Sequence, residues 1–231
     1  MRIRELITEN ERCLWCGETY VEPVSWAAFF GEQETGRFCE RCDERFVRIE
    51  RSEACVGCGK PCVSECDDCK RWGEDAFWKD YSFSNVALYE YNDFLKDVIA
   101  VFKYRSDARL AEGFTGEIAK ALPRGAVVTT IPLNEERHYE RGFNQADLLV
   151  GGVASVSLLG RSQSSNKQSK QSRGDRLSSV EEQFRLLTDV AGLDVVVVDD
   201  IYTTGATIRS AARVLYEGGA ERVRGVTLAR A

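Results

Sequence analysis

The chain has 231 residues, 43% of them hydrophobic, and 31 Lys and Arg stand against 37 Asp and Glu for a formal charge of −6. That length accommodates one medium domain and a small module, and no apolar run approaches the length of a membrane span. The charged start MRIRELITENER does not fit a secretory signal, so a cytoplasmic setting with reduced thiols is expected, and nine cysteines there point to metal rather than disulfides.

All nine cysteines precede residue 70. Eight form C-x-x-C pairs: Cys13/Cys16, Cys39/Cys42, Cys55/Cys58 and Cys66/Cys69. Zinc takes four thiolates in a tetrahedron, and each C-x-x-C knuckle supplies two from one tight turn. These eight residues are therefore the candidate ligands of one or two structural Zn²⁺ ions. Sequential pairing of the knuckles is expected, because CVGCGKPCVSECDDC is compact enough to close by itself; a cross-braced arrangement is the alternative. Cys62 falls outside the pairs and reads as a free thiol.

The charge bears on partners. Residues 1–80 carry 18 acids against 12 bases, and 81–231 carry equal numbers. Each four-thiolate zinc site adds about −2 in total charge. A surface of that sign opposes contact with a phosphate backbone, so direct nucleic-acid binding by this module is not favoured. Trp26, Phe29 and Phe30 read as core or as a protein-contact surface.

Residues 71–82 show no period and read as a connection. Residues 85–91 read as a strand. A helix over 93–102 places Phe94, Leu95, Val98, Ile99 and Phe102 on one face, and a second helix runs through Leu110, Ala111, Phe114 and Ile118. Lys103 and Arg105 sit where the first helix breaks, either complementing its C-terminal dipole or facing a polyanion. Residues 127–131 are a buried strand. The loop NEERHYERGFNQ then leads to a helix with Ala146, Leu148 and Leu149. Within it, Arg141, Gly142, Phe143, Asn144 and Gln145 offer N–H groups and a guanidinium to an anion. His138 reads as a solvated surface residue. Residues 160–180 are a low-complexity tract in which Arg161, Lys167, Lys170, Arg173 and Arg176 face one acid, Asp175. Such a tract reads either as a plain disordered surface loop or as a mobile lid closing over a polyanion. Residues 223–229 supply a last strand.

The most informative stretch is VVVVDDIYTTGAT, residues 195–207. Four valines mark a strand buried on both faces. Asp199 and Asp200 follow, then Thr203, Thr204, Gly205, Ala206 and Thr207. An amphipathic helix carries Ile208, Ala211, Ala212 and Leu215 before Gly218 and Gly219 end it. Free N–H groups at the helix start form an anion site, which the threonine hydroxyls extend. Carboxylates beside a phosphate would repel it unless they hold sugar hydroxyls or Mg²⁺. A ligand with a phosphate, a ribose diol and a metal-binding pyrophosphate fits both halves. A buried strand with an acidic helix cap accounts for the valines, but not for two adjacent acids followed by TTGAT.

This stretch resembles the phosphoribosyl-pyrophosphate (PRPP) signature of the type I phosphoribosyltransferases. The whole length resembles the ComF family of late-competence proteins, of the ComFC type. The resemblance is carried by the paired knuckles, the IPL…RGFNQA block at 131–146, the Gln168…Arg176…Phe184 spacing and the PRPP-like motif. It implies an α/β type I phosphoribosyltransferase fold, a parallel sheet flanked by helices, over 77–231, and a zinc-ribbon-like module over 1–76. It also implies a role in DNA uptake during natural transformation, with a competence helicase of the ComFA type among its partners. Ser179 stands where family members often carry Asn, and Cys62 is outside the usual pattern.

Three functions are compatible with these residues. In an Mg²⁺-dependent phosphoribosyltransferase, residues 203–207 hold the 5′-phosphate, and Asp199 and Asp200 hold the ribose hydroxyls. Arg141, Lys103 and Arg105 face pyrophosphate, and Arg176 acts from the lid on the leaving group. A PRPP-binding adaptor or sensor keeps the motif without the transfer. A zinc-dependent single-strand DNA-binding protein would use the basic 161–176 tract.

Overall fold

The structure, a computed structural model, describes residues 10–21, 37–62, 64–105, 107–162 and 183–231. The tract from 163 to 182, with Gln168, Arg176 and Ser179, lies outside the described residues, as do Trp26, Phe29 and Phe30.

Two short strands, β1 (Asn10–Arg12) and β2 (Thr19–Val21), pair antiparallel around the first knuckle. Helix α1 (Glu40–Asp43) starts from Cys39, and α2 (Asp67–Gly73) starts from Cys66. Helix α3 (Phe77–Asp80) follows closely. Residues 71–82, expected to be a plain connection, are thus partly helical. Both helices are too short to show a hydrophobic period.

The main sheet has four parallel strands. They are β3 (Ser84–Glu90), β4 (Val127–Thr130), β7 (Asp194–Tyr202) and β8 (Arg222–Arg230), in the order β3-β8-β7-β4. A separate antiparallel pair, β5 (Leu159–Arg161) and β6 (Phe184–Leu186), flanks the tract outside the described residues. Helix α4 (Asp93–Tyr104) is capped by Asn92, whose side chain accepts from the Leu95 amide. It runs two residues beyond the expected 93–102, and all five predicted apolar residues are buried. The expected second helix is in two pieces, a 3₁₀ turn (Ala108–Gly113) and α5 (Thr115–Ala121). Gly113, a poor helix former, marks the break.

The loop expected at 134–145 is mostly helix α6 (Glu135–Arg141). Its sequence is polar all round, so no apolar stripe reveals it. Its caps are informative instead: Asn134 accepts from the Arg137 amide, and Gly142 closes the helix at φ 76°. Helix α7 (Gln145–Leu149) follows, and α8 (Ala206–Glu217) connects β7 to β8.

The four valines of β7 are each 0% exposed, and they divide between two cores. Val196 and Val198 pack with Phe94, Leu95, Ile99 and Leu110, while Val195 and Val197 pack with Ile208, Ala211 and Leu215. Burying a valine is worth about 1.5–3 kcal/mol, which makes this strand the anchor of both layers. The cysteines divide in the same way. Cys13, Cys39 and Cys42 join the first core, and Cys55, Cys58, Cys66 and Cys69 join the second.

Candidate functional site

Strand β7 does not stop after its valines. It continues through Asp199 and Asp200 to Tyr202, and α8 begins at Ala206. Both acids therefore sit on the C-terminal end of an inner strand, where open parallel sheets place their ligands. Thr203 and Thr204 are exposed, and Gly205 is the N-cap of α8 at φ 85°. A Cβ on Gly205 would lie 2.2 Å from the Tyr202 hydroxyl, so only glycine fits this turn. Ala206 and Thr207 are half-buried in the first turn.

The two acids have different surroundings. Asp200 faces α4, where Lys103 Nζ lies 2.6 Å from its Oδ2. Lys103 thus points into the site from the last turn of α4. Asp199 accepts the Asp200 amide at 2.9 Å. Burial, and then the charge of Asp200, push its carboxyl up to about 7. Asp200 lies close to Tyr91, whose hydroxyl is raised by burial and then by that carboxylate.

Arg161 was expected in a lid. Instead it belongs to β5, lies 4.4 Å over the Phe184 ring and donates from Nε to the Pro132 carbonyl at 2.8 Å. Burial lowers its pKa, and nearby Asp199 opposes that shift. A single arginine at the edge of a polar tract gives no sign of this role in the sequence.

Arg141 ends α6, donates to Gln145 Oε1 at 2.8 Å and lies 5.7 Å over the Tyr104 ring, next to Lys103. Asn144 is committed to structure: it donates to the Ile131 carbonyl at 3.0 Å and caps α7. Arg105 is exposed at the C-cap of α4, and His138 is exposed on α6. The structure therefore gathers Asp199, Asp200, Lys103 and the 203–207 turn, with Arg141 beside Tyr104.

The sulfurs of Cys13, Cys16, Cys39 and Cys42 lie within 4.8 Å of one another, as do those of Cys55, Cys58, Cys66 and Cys69. These tetrads follow the sequential pairing, and Cys62 lies outside both, donating to the Ser64 carbonyl at 2.6 Å. Four convergent thiols are the donor set of a structural zinc site. The second tetrad shows a further sign of negative charge, because two buried arginines face it. Arg209 Nη2 is 3.9 Å from Cys69 Sγ. The hydrogen bond from Cys69, and after it the Arg230 guanidinium, hold the Cys58 thiol well below its ordinary value. Buried guanidinium groups beside four sulfurs suit the net negative charge that a four-thiolate zinc site carries.

A phosphoribosyl transferase domain model matches residues 145–231. Competence protein ComFC of Bacillus subtilis is 35% identical over 228 residues, covering 94% of each chain. The chain belongs to the ComFC competence-protein family. Competence protein ComFC of Streptococcus pneumoniae is 31% identical over 226 residues, covering 95% of this chain and all of that one. Among solved structures, a hypoxanthine phosphoribosyltransferase from Staphylococcus aureus is 16% identical with a TM-score of 0.33, covering 55% of this chain and 64% of that one. This ComFC-family chain has the type I phosphoribosyltransferase fold with N-terminal cysteine clusters able to hold zinc. Among the described residues no helix is long and apolar enough to cross a membrane.

Proposed function

We propose that this ComFC-family chain binds PRPP with Mg²⁺ and transfers its phosphoribosyl group to an acceptor during natural transformation. The observation that carries this reading is the continuity of β7 into α8: two carboxylates at the strand end, then a hydroxyl-rich turn on a helix N-terminus. The turn at 203–207 receives the 5′-phosphate through backbone N–H groups and the Thr hydroxyls. Asp199 and Asp200 accept from the ribose 2′- and 3′-hydroxyls. Lys103 exchanges its bridge with Asp200 for the pyrophosphate side, where Arg141 and Arg105 add positive charge.

Magnesium, when bound with PRPP through hard oxygen donors, neutralises part of the pyrophosphate charge. The C1–O bond breaks and pyrophosphate leaves with the electron pair. Asp199 and Asp200 stabilise the positive charge that develops on the ribose. The acceptor nucleophile then bonds to C1 and its proton passes to solvent. We further infer one structural zinc in each cysteine tetrad, a cytoplasmic location, and a competence helicase of the ComFA type as partner.

The test is Mg²⁺-dependent PRPP binding by calorimetry, with pyrophosphate release screened over nucleobases, nucleosides and single-stranded DNA. Wild type is compared with Asp200→Ala, which is expected to lose PRPP affinity at least tenfold. Binding without release for every acceptor would assign an adaptor or sensor role. No PRPP binding, with capture of single strands, would favour the DNA-binding reading.

A further inference from the structure

The second cysteine tetrad lies directly behind the turn assigned to the phosphate. Helix α2 starts from Cys66 and contains Cys69, and the same helix carries Asp68 and Trp72. Trp72 donates from its indole N–H to the Thr204 carbonyl at 2.9 Å. Asp68 accepts from Arg230 Nη2 at 3.0 Å, and Arg230 Nη1 donates to the Thr203 carbonyl at 2.7 Å and the Tyr202 carbonyl at 3.3 Å. Arg209 completes the seam. It lies 3.9 Å from Cys69 Sγ, donates to the Tyr202 hydroxyl at 3.1 Å, and is surrounded by Trp72, Trp78 and Phe83 at 5.0–5.2 Å. Both arginines are nearly inaccessible, at 4% and 5% exposure.

The Thr203 and Thr204 carbonyls are thus held by side chains that ride on α2 or face the tetrad, while the Tyr202 carbonyl also accepts the Ala231 amide at 3.0 Å as part of the sheet. In a trans peptide the carbonyl of one residue and the N–H of the next point in opposite directions. Fixing the carbonyls of Thr203 and Thr204 toward the tetrad therefore turns the N–H groups of Thr204 and Gly205 away from it. Those N–H groups are donors of the anion site. The position of α2 depends in turn on its two cysteines, Cys66 at its N-cap and Cys69 within it. The other tetrad belongs to the opposite core and makes no such contact among the described residues.

We infer that the Cys55/Cys58/Cys66/Cys69 metal site is a clamp on the phosphate turn, with Asp68, Arg230 and Trp72 as the positioning residues that transmit metal occupancy to the ligand-binding N–H groups. Loss of metal from this tetrad frees α2, loosens the hold on the Thr203 and Thr204 carbonyls and weakens phosphate binding. PRPP affinity then reports on zinc at a site that never touches PRPP. This inference rests on the PRPP reading above for its ligand, but not for the coupling itself.

The test uses the full-length, zinc-loaded protein and three readouts: zinc per chain, amide hydrogen exchange over 202–207, and affinity for Mg²⁺-PRPP. Asp68→Asn and Trp72→Phe leave every cysteine in place. The double variant is expected to retain wild-type zinc, exchange faster at 204–205 and bind PRPP about tenfold more weakly, the scale of losing a charge-assisted hydrogen bond. Asp67→Asn, on the same helix but 93% exposed and paired only with Lys70 among the described contacts, is the control and stays at wild type. Wild-type exchange and affinity in a double variant with full zinc would overturn the clamp. If the double variant loses zinc, Trp72→Phe alone decides, since it removes only the donor to Thr204. If wild type binds no PRPP, the ligand assignment fails, while exchange at 204–205 still confirms or refutes the clamp.

Discussion

Lys103 Nζ lies 2.6 Å from Asp200 Oδ2, and the two side chains are 16% and 13% exposed. The pair joins the last turn of α4 to the end of β7, two elements that both contribute apolar residues to one core. It also gives Asp200 a cation partner before any ligand arrives. A ribose diol must compete with this ammonium for the carboxylate, so binding and rearrangement of Lys103 belong to one step.

Replacing Lys103 with Met should therefore destabilise the free protein while clearing the carboxylate. Removing one partner from a mostly buried pair leaves the other charge uncompensated, and a loss of about 2 kcal/mol is expected here because the site keeps some solvent. Chemical denaturation checks this. The Lys103→Met/Asp200→Asn double variant should recover part of the loss, giving a coupling of at least about 0.5 kcal/mol. Strictly additive effects would show that the pair contributes nothing in solution.

Asp199 gives a pH signature with a definite sign. Its carboxyl is raised from 3.8 to about 7. Between those values the folded chain keeps a proton that the unfolded chain has released. The group therefore favours the folded state most below about pH 4, and that contribution is lost as pH rises through about 7. Asp199→Asn cannot ionise, so at pH 8 the ligand-free variant should be more stable than wild type, by an amount on the order of 2 kcal/mol. The difference should vanish near pH 4. A stability difference that does not change with pH would mean that Asp199 is ionised throughout.

Much of this arrangement is legible in the sequence, for identifiable reasons. Residues 195–198 announce a doubly buried strand because nothing but apolar packing explains four valines, and the stripe Ile208, Ala211, Ala212, Leu215 is buried as its spacing implies. The cysteine spacing likewise gives the tetrads. Helix α6 is hidden because it packs no apolar face, although its Asn134 and Gly142 caps are readable signals. Arg230 and Arg209 are hidden for a different reason. Burial of a cation is decided by partners far along the chain: Asp68 lies 162 residues before Arg230, and Cys69 lies 140 before Arg209. A lone arginine after TLA or between apolar helix positions carries no local trace of such a partner.

The tetrads yield a prediction of number. Metal analysis of protein purified without chelator should find two zinc ions per chain, because each set of four sulfurs is closed within 4.8 Å and each belongs to a different core. A strong chelator should lower the melting temperature by 10 °C or more, since a structural zinc contributes roughly 10 kcal/mol or more of binding free energy coupled to folding. Cys66→Ser should reduce the count to one. Fewer than one zinc per wild-type chain would refute metal at both tetrads.

Gly205 provides the sharpest local test. Its φ of 85° is unfavourable for an L side chain, and a Cβ there would meet the Tyr202 hydroxyl at 2.2 Å. Tyr202 cannot easily yield, because it is 1% exposed and its hydroxyl accepts from Arg209 at 3.1 Å. Gly205→Ala should cost about 1–2 kcal/mol for the left-handed backbone, and overpacking against Tyr202 should add about 1–3 kcal/mol. The two costs can be separated. Tyr202→Phe removes the clashing oxygen, so the Gly205→Ala/Tyr202→Phe pair should recover part of the overpacking cost and none of the backbone cost. If the turn holds the 5′-phosphate, Gly205→Ala also weakens PRPP at least tenfold, even under conditions where the variant remains fully folded. Wild-type stability in Gly205→Ala would mean that the turn at 203–207 takes another conformation in solution, and the assignment of its N–H groups to phosphate would fall with it.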